Sequence, residues 1–298
     1  MPITQGRRSV LLNLLISLRP GQWTKNLFVF AALVFAQRLS DTGAVMKAVI
    51  AFFVFCALSA TVYLINDVLD REQDRRHPLK ASRPIASGAL SPTLALMTAA
   101  VVGIAAMIAA STLGGQFFQT AAAYVVLLTA YSAFLKHIVI LDVLTIAAGF
   151  TLRAAAGAAA IAVPMSHWLL VCTTLLALFI ALSKRRHELT LLADTAIEHR
   201  PILGDYTPYL LDQMISVVTA STLIAYAFYT ISPETTAKFG TDLLSLTIPF
   251  PLYGIFRYLY LVHLRDKGGS PAELVVNDRP LLVCVGLWAL SVIFIIYQ

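Results

Sequence analysis

The residues of this chain whose types and spacing could do chemistry stand at the end of an apolar run. They are Asn66, Asp67, Asp70 and Asp74, in the stretch Tyr63-Leu-Ile-Asn66-Asp67-Val-Leu-Asp70-Arg-Glu-Gln-Asp74. On a helix turning ~100° per residue, Asp70, Asp74 and Asn66 fall about 60°, 20° and 100° to one side of Asp67, and Glu72 points about 140° the other way. Three carboxylates on one helical face repel each other unless a cation holds them. A set of oxygen ligands with open positions suits Mg²⁺, which commonly joins protein carboxylates to substrate phosphates. Asn66, Asp67, Asp70 and Asp74 are therefore read as metal ligands and catalytic residues, with Mg²⁺ as the cofactor. The plain alternative is a solvated helix whose acids pair with Arg71, Arg75 and Arg76. Pro78 ends the helix in either case, because the residue before a proline is pushed out of the helical region.

The elements that must position this motif are membrane-spanning helices. The chain has 298 residues, is 58% hydrophobic and only 13% charged, and its mean hydropathy is +0.78. A soluble domain of this length carries more charge. Apolar runs at about 22–38, 44–66, 92–112, 117–135, 139–161, 166–184, 214–231, 242–263 and 279–296 approach the ~20 residues that cross a hydrocarbon core. The expected fold is an all-α polytopic membrane protein, residues 1–298 forming one integral domain of nine transmembrane helices around a central cavity. Residues 1–21 make a cytoplasmic or interfacial segment. Ser9–Leu18 has the outline of a signal peptide but lacks a cleavage site and runs into Arg19-Pro20. Ser91-Pro92 reads as a helix start, and Ser270-Pro271-Ala-Glu273 as a capping box.

Charge orients the bundle. Most of the 22 lysines and arginines fall on one side of the nine runs, among them Arg7, Arg8, Arg19, Lys25, Lys80, Arg83, Lys136, Lys184, Arg185, Arg186, Arg200, Arg265 and Lys267. Such residues accumulate in cytoplasmic loops. The N-terminus is therefore expected in the cytoplasm and the C-terminus outside. Loops 67–91 and 185–213 lie over a site on the cytoplasmic face of an inner, or plasma, membrane. The net charge of +6 is interleaved with spans, which points to membrane lipids and anionic substrates rather than nucleic acid. Cys56, Cys172 and Cys284 sit in apolar runs with no CxxC or Cys/His cluster, so neither disulfide nor zinc is expected. A transporter is the reading from another class. It predicts midplane charges and internal repeats; Arg153 is the strongly charged midplane candidate, and no repeat is visible.

The motif Asn66-Asp67-x-x-Asp70-x-x-x-Asp74, followed by Arg83-Pro84-x-x-x-Gly88, resembles the first aspartate-rich motif of the UbiA superfamily of intramembrane prenyltransferases. The resemblance implies a nine-helix fold and Mg²⁺-dependent loss of diphosphate. Ordinary members carry a second aspartate-rich motif near the end of the sixth helix, where this chain has Ser183-Lys184-Arg185-Arg186-His187-Glu188. Lysine and arginine there would grip phosphate directly. That stretch, Arg19-Pro20-Gly-Gln-Trp23-Thr-Lys25-Asn26, His77-Pro78-x-Lys80-x-x-Arg83-Pro84, Tyr131-Ser-x-x-Leu135-Lys136 and the helix from Asp142 to Arg153 are together similar to the decaprenyl-phosphate phosphoribosyltransferase branch. This likeness implies transfer of a 5-phosphoribosyl group from 5-phosphoribosyl 1-diphosphate to a polyprenyl phosphate, for cell-envelope glycan precursors. Lys25, Lys80, Arg83, Tyr131, Lys136, Asp142, Lys184, Arg185 and Glu188 would then bind substrate. The other reading within the superfamily moves a polyprenyl chain from its diphosphate to an aromatic or quinone-precursor acceptor. A homo-oligomer is compatible with both.

Asp142 and Arg153 are eleven residues apart, so they share a helical face but stand about 16 Å apart and cannot pair directly. Charge inside a span is costly and faces a polar cavity or a partner. Asp142 is expected at the mouth of the site and Arg153 in a structural pair deeper down. The small residues Ala154–Ala160 read as a surface for close helix packing.

Overall fold

A computed structural model describes residues 9–78, 80–192, 201–264, 274 and 277–298. Every regular element among them is helical. The chain divides into two compact units. The first holds the described residues up to Leu33, Asp41–Ile138 and Leu152–Val163, and the second holds Val34–Ser40, Val139–Thr151 and those of Pro164–Gln298.

The first unit begins with α1 (Val10–Ser17), capped by Ser9, whose hydroxyl accepts from the Leu12 amide at 3.2 Å. Its polarity is inverted. Asn13 and Ser17 are buried while Val10, Leu11 and Leu15 are exposed, as suits an apolar face turned to lipid. A 3₁₀ helix (Pro20–Phe30) follows. Next comes α2 (Ala31–Phe35), which straddles the division between the units. The spine is α3 (Thr42–Leu69), 28 residues capped by Asp41. At 1.5 Å per residue it is about 42 Å long, longer than a ~30 Å hydrocarbon core, so its last turns emerge at the border with the motif. The short α4 (Arg71–Arg76) continues it. His77 then turns extended (φ −84°, ψ 127°) ahead of Pro78, as expected. The helices α5 (Pro92–Thr112) and α6 (Gly115–Ala133) complete the unit with the later part of α7 (Leu141–Ala160). Ser91 caps α5 through the Leu94 amide at 3.2 Å. Small residues let backbones approach: a Cβ on Gly157 would lie 1.9 Å from the Val29 carbonyl oxygen, so that position admits only glycine.

The second unit contains the start of α7, then α8 (His167–Leu192), α9 (Pro208–Ile231), α10 (Pro233–Phe239), α11 (Pro249–Leu264) and α12 (Arg279–Ile296). Its core includes Phe179 edge-on to Tyr258 with ring centroids 5.1 Å apart, and Leu182, Leu211, Ile215 and Leu261.

The nine expected spans are not all recovered among the described residues. Six helices among the described residues are long and apolar enough to cross a membrane, or seven if a bent pair counts as one. The run at 22–38 folds instead into the 3₁₀ helix, the five-residue α2 and a reversal at Gln37 (φ 55°). The run at 117–135 does form α6, but Gln116, Gln119, Thr120, Tyr124 and Ser132 make it too polar to qualify by composition. The run at 242–263 is helical from Leu243 to Val262, and the break lies ahead of it. A 3₁₀ turn (Leu243–Thr247) precedes α11, and α10 and the following helix meet at 105°. The loop expected at 185–213 is shorter, since α8 runs on to Leu192 and α9 starts at Pro208. Arg7, Arg8, Arg200, Arg265, Lys267 and the capping box at 270–273 lie outside the described residues.

Candidate active site

Asp70 (φ −89°, ψ 4°) closes α3 and opens α4, yet the helical ladder continues across it. The Asp70 amide donates to the Asn66 carbonyl and the Asp74 amide to the Asp70 carbonyl, both at 2.8 Å. Helical phase is therefore kept. Asp67 and Asp74 are buried, Asp70 is half-buried and Glu72 is exposed.

The acids do not pair as the plain alternative supposed. Arg75 turns away to Glu72 and to the Ala86 carbonyl, at 3.0 and 2.9 Å. Cations from three other segments reach the acids. Arg19 pairs with Asp67, and Lys136 pairs with Asp70. Arg83 Nη1 donates to Asp67 Oδ1 at 3.2 Å and to Asp74 Oδ2 at 2.5 Å. Asn66 Nδ2 donates to Asp70 Oδ2 at 3.1 Å and so orients that carboxylate.

Each cation is carried by a local device. Arg83 sits in a turn whose amides close on Pro84, Arg83 and Lys80 carbonyls, with Gly88 at φ 83° where glycine is at ease. Ile85 and Leu90 pack that turn against Leu64 of α3. Lys136 lies in a 3₁₀ turn (Leu135–His137) just after α6. Arg19 adopts a left-handed backbone (φ 51°, ψ 59°), which costs an L-residue about 1–2 kcal/mol. Its guanidinium lies over the Tyr63 ring, 4.9 Å from the centroid.

The donor set fits a hard divalent cation in kind. Two carboxylates, Asp67 and Asp74, already converge on one positive atom of Arg83, and all the ligand atoms are oxygens. Among the described residues no three acidic, histidine or cysteine side chains gather around one point. The four residues read from the sequence as a metal set thus form a salt-bridged cluster, with Arg83 bridging Asp67 and Asp74, Arg19 on Asp67 and Lys136 on Asp70. Arg71, four residues beyond Asp67, buries its Nε with no hydrogen-bond partner among the described residues.

The remaining expected substrate ligands separate by unit. Lys25, Lys80 and Tyr131 are half-buried members of the first unit. In the second unit the basic motif is not an open cationic wall. Arg185 is 1% exposed: its Nε donates to Asp142 Oδ2 at 2.7 Å and its Nη1 to Glu188 Oε2 at 2.8 Å. Asp142 is 0% exposed rather than at a mouth, and also accepts from the Tyr206 hydroxyl at 2.7 Å. That hydroxyl accepts from the Ile140 amide at 2.8 Å. Burial, and then the Asp142 carboxylate, push the Tyr206 phenol up to about 12. Lys184 remains 49% exposed, 3.7 Å from Glu188.

Sequence reasoning left out Arg19 and Tyr206. The charged Arg19-Pro20 break right after an apolar helix was a usable signal for the first; nothing in the sequence marked Tyr206. Arg153 occupies a buried polar network: its Nε donates to Asn26 Oδ1 at 2.8 Å and its Nη2 to the Tyr124 hydroxyl at 2.7 Å.

The described residues form an all-helical fold with membrane-length helices and an Asn-Asp cluster at the end of the longest one, as expected of an intramembrane transferase of the prenyltransferase type. The profile of the UbiA prenyltransferase family matches residues 26–275, and the chain belongs to that family. It is 32% identical to decaprenyl-phosphate phosphoribosyltransferase of Mycolicibacterium smegmatis over 94% of this chain and 91% of the relative. The protein of the same name in Corynebacterium glutamicum is also 32% identical, over 94% and 86% of the two chains. A UbiA homolog from Archaeoglobus fulgidus, solved with GPP and Mg²⁺, superposes with a TM-score of 0.75 at 18% identity, covering 97% of this chain and 99% of that one.

Proposed function

We propose that the chain transfers a 5-phosphoribosyl group from 5-phosphoribosyl 1-diphosphate to a decaprenyl-type polyprenyl phosphate, releasing diphosphate on the cytoplasmic side of a plasma membrane. The observation that carries this reading is the 32% identity, over nearly the whole chain, to two enzymes named for that reaction. The cation-rich surroundings of the acid motif support it, because donor and acceptor both bring phosphate.

In this reading the C1–diphosphate bond of the sugar breaks as a bond forms between C1 and an oxygen of the lipid phosphate. Asp67, Asp74, Asp70 and Asn66 would hold Mg²⁺, which neutralises charge on the departing diphosphate. Arg19, Arg83 and Lys136 deliver charge-assisted hydrogen bonds to phosphate oxygens at the same cluster, and Arg71 offers a further guanidinium. Lys25, Lys80 and Tyr131 contribute contacts around them. A phosphate monoester with a second pKa near ~6 is already anionic at neutral pH, so the acceptor needs no general base.

The test is direct. Purified protein in detergent receives ribose-labelled 5-phosphoribosyl 1-diphosphate and polyprenyl phosphate. Label should enter the lipid phase with release of diphosphate, EDTA should abolish transfer, and added Mg²⁺ should restore it. Label that stays aqueous while a prenyl diphosphate is consumed on an aromatic acid would instead establish prenyl transfer.

A further inference from the structure

Arg153 is a buried charge in α7 that the proposed reaction does not use. It is 5% exposed and stacks over the Tyr124 ring, 4.8 Å from the centroid, besides its bonds to Tyr124 and Asn26. Ser59 ties the same group together, its hydroxyl 3.2 Å from Asn26 Oδ1 and 3.1 Å from the Tyr124 hydroxyl. Asn26 is 0% exposed and donates from Nδ2 to the Cys56 sulfur at 3.3 Å. Asn26, in the 3₁₀ helix Pro20–Phe30, therefore bonds α3 and α7 directly, and Tyr124 of α6 joins the group through Ser59 and Arg153. Three residues on, the backbone of Val29 seats directly on Gly157, one helical turn beyond Arg153.

We propose that Arg153, with Gly157, is a positioning device for the acid cluster, acting through the 3₁₀ helix that begins beside Arg19. That helix is pinned at its far end by Asn26 and Val29. Its near end follows Arg19, which pairs with Asp67. From Arg19 to Asn26 the rise is about 14 Å at ~2 Å per residue, a distance over which a single helical segment moves as one piece. The left-handed backbone of Arg19 persists only where its surroundings over-determine it. Below it lie the Ile16 carbonyl, which accepts from the Arg19 amide at 3.1 Å, and the Tyr63 ring. Above it lies the anchored helix, whose Gln22 amide donates to the Arg19 carbonyl at 2.9 Å. A purely apolar packing would supply comparable stability without burying a charge. The directional bonds of Arg153 instead fix one register of the segment, and with it the position of the Arg19 guanidinium at Asp67.

The inference rests on the acid cluster being the reactive site, and its test includes a readout that does not. Full-length protein in detergent is compared with Arg153→Lys, Gly157→Ala and the milder Tyr124→Phe, which removes only the hydroxyl's bonds to Arg153 and Ser59 should the others fail to fold. Hydrogen exchange across residues 21–30 should rise about tenfold or more in each variant that folds, with α12 unchanged. Turnover should fall about tenfold in Arg153→Lys, since small displacements at a reacting centre are costly. In an Arg19→Ala background, Arg153→Lys or Tyr124→Phe should cause no further loss, because residues acting through one partner are non-additive. Unchanged exchange across residues 21–30, or a full second loss in that background, would overturn the proposal. Raised exchange in a protein with no phosphoribosyl transfer at all would leave the clamp standing and overturn the proposed reaction instead.

Discussion

The two charged clusters of this molecule use the same side chains to opposite ends. In the first unit three aspartates meet three cations, but Arg19 and Arg83 are 24% and 27% exposed and come from separate segments. Arg19 and Arg83 are exposed enough to turn to an incoming anion, and the divalent cation of the proposed reaction would then neutralise the buried Asp67 and Asp74 in their place. In the second unit Arg185 and Asp142 are sealed and further tied to Glu188 and Tyr206. Breaking that set leaves an uncompensated charge out of water, which costs about 3–5 kcal/mol. Residue type marks both clusters as candidate sites. Burial distinguishes them: the first, proposed as the reactive site, has partly exposed cations, and the second is sealed.

The largest expected effect lies in the first cluster. Asp67→Asn, Asp70→Asn and Asp74→Asn should each lower turnover by about 100-fold or more, since each removes charge from the group that would hold the metal. Glu72→Gln should leave it nearly unchanged, because Glu72 is exposed and bonded to Arg75. Equal losses at Glu72 and Asp70, read as initial rates, would break the helical-face argument.

The second cluster should respond in stability. Arg185→Ala should destabilise the protein by about 3–5 kcal/mol in detergent unfolding. Lys184→Ala should cost no more than about 1 kcal/mol there, as befits a largely exposed pair. A stable Arg185→Ala with only a raised KM would return Arg185 to the substrate site.

The smallest effect is set by pH. Tyr206 titrates at about 12 in the fold against an ordinary value of 10.0. The unfolded chain therefore loses this proton first, and the stabilisation, fully present below about pH 10, fades as pH rises toward 12. Thermal unfolding of Tyr206→Phe should fall less steeply than wild type between pH 10 and 12. Parallel curves would remove Tyr206 from the network.

Much of this was legible in the sequence, within identifiable limits. Helical phase alone put Asp67 and Asp74 together and Glu72 outside, because the ladder runs through Asp70. Ser91 and His77-Pro78 announced a start and a stop by local chemistry. The partners of the acids were not readable: Arg19 is 48 positions from Asp67 and Lys136 is 66 from Asp70, and only tertiary packing chooses them. The count of nine spans was not recovered among the described residues for a related reason. Hydropathy registers that residues 22–38 are apolar on average but not that Pro20 starts a 3₁₀ helix or that Gln37 reverses the chain. Lys184-Arg185-Arg186 looked like one basic patch, yet neighbours on a helix point about 100° apart, so Lys184 faces outward while Arg185 is sealed.

One paired measurement tests the contrast most directly: turnover and unfolding midpoint of Asp70→Asn and Arg185→Ala, each in the full-length protein in detergent. Asp70→Asn should keep its midpoint within a few degrees and lose turnover by about 100-fold or more. Arg185→Ala should lose its midpoint, while the fraction that remains folded still transfers label. An Asp70→Asn protein with full turnover, or an Arg185→Ala protein that is stable and inactive, would contradict the assignment of reaction to the first cluster and architecture to the second.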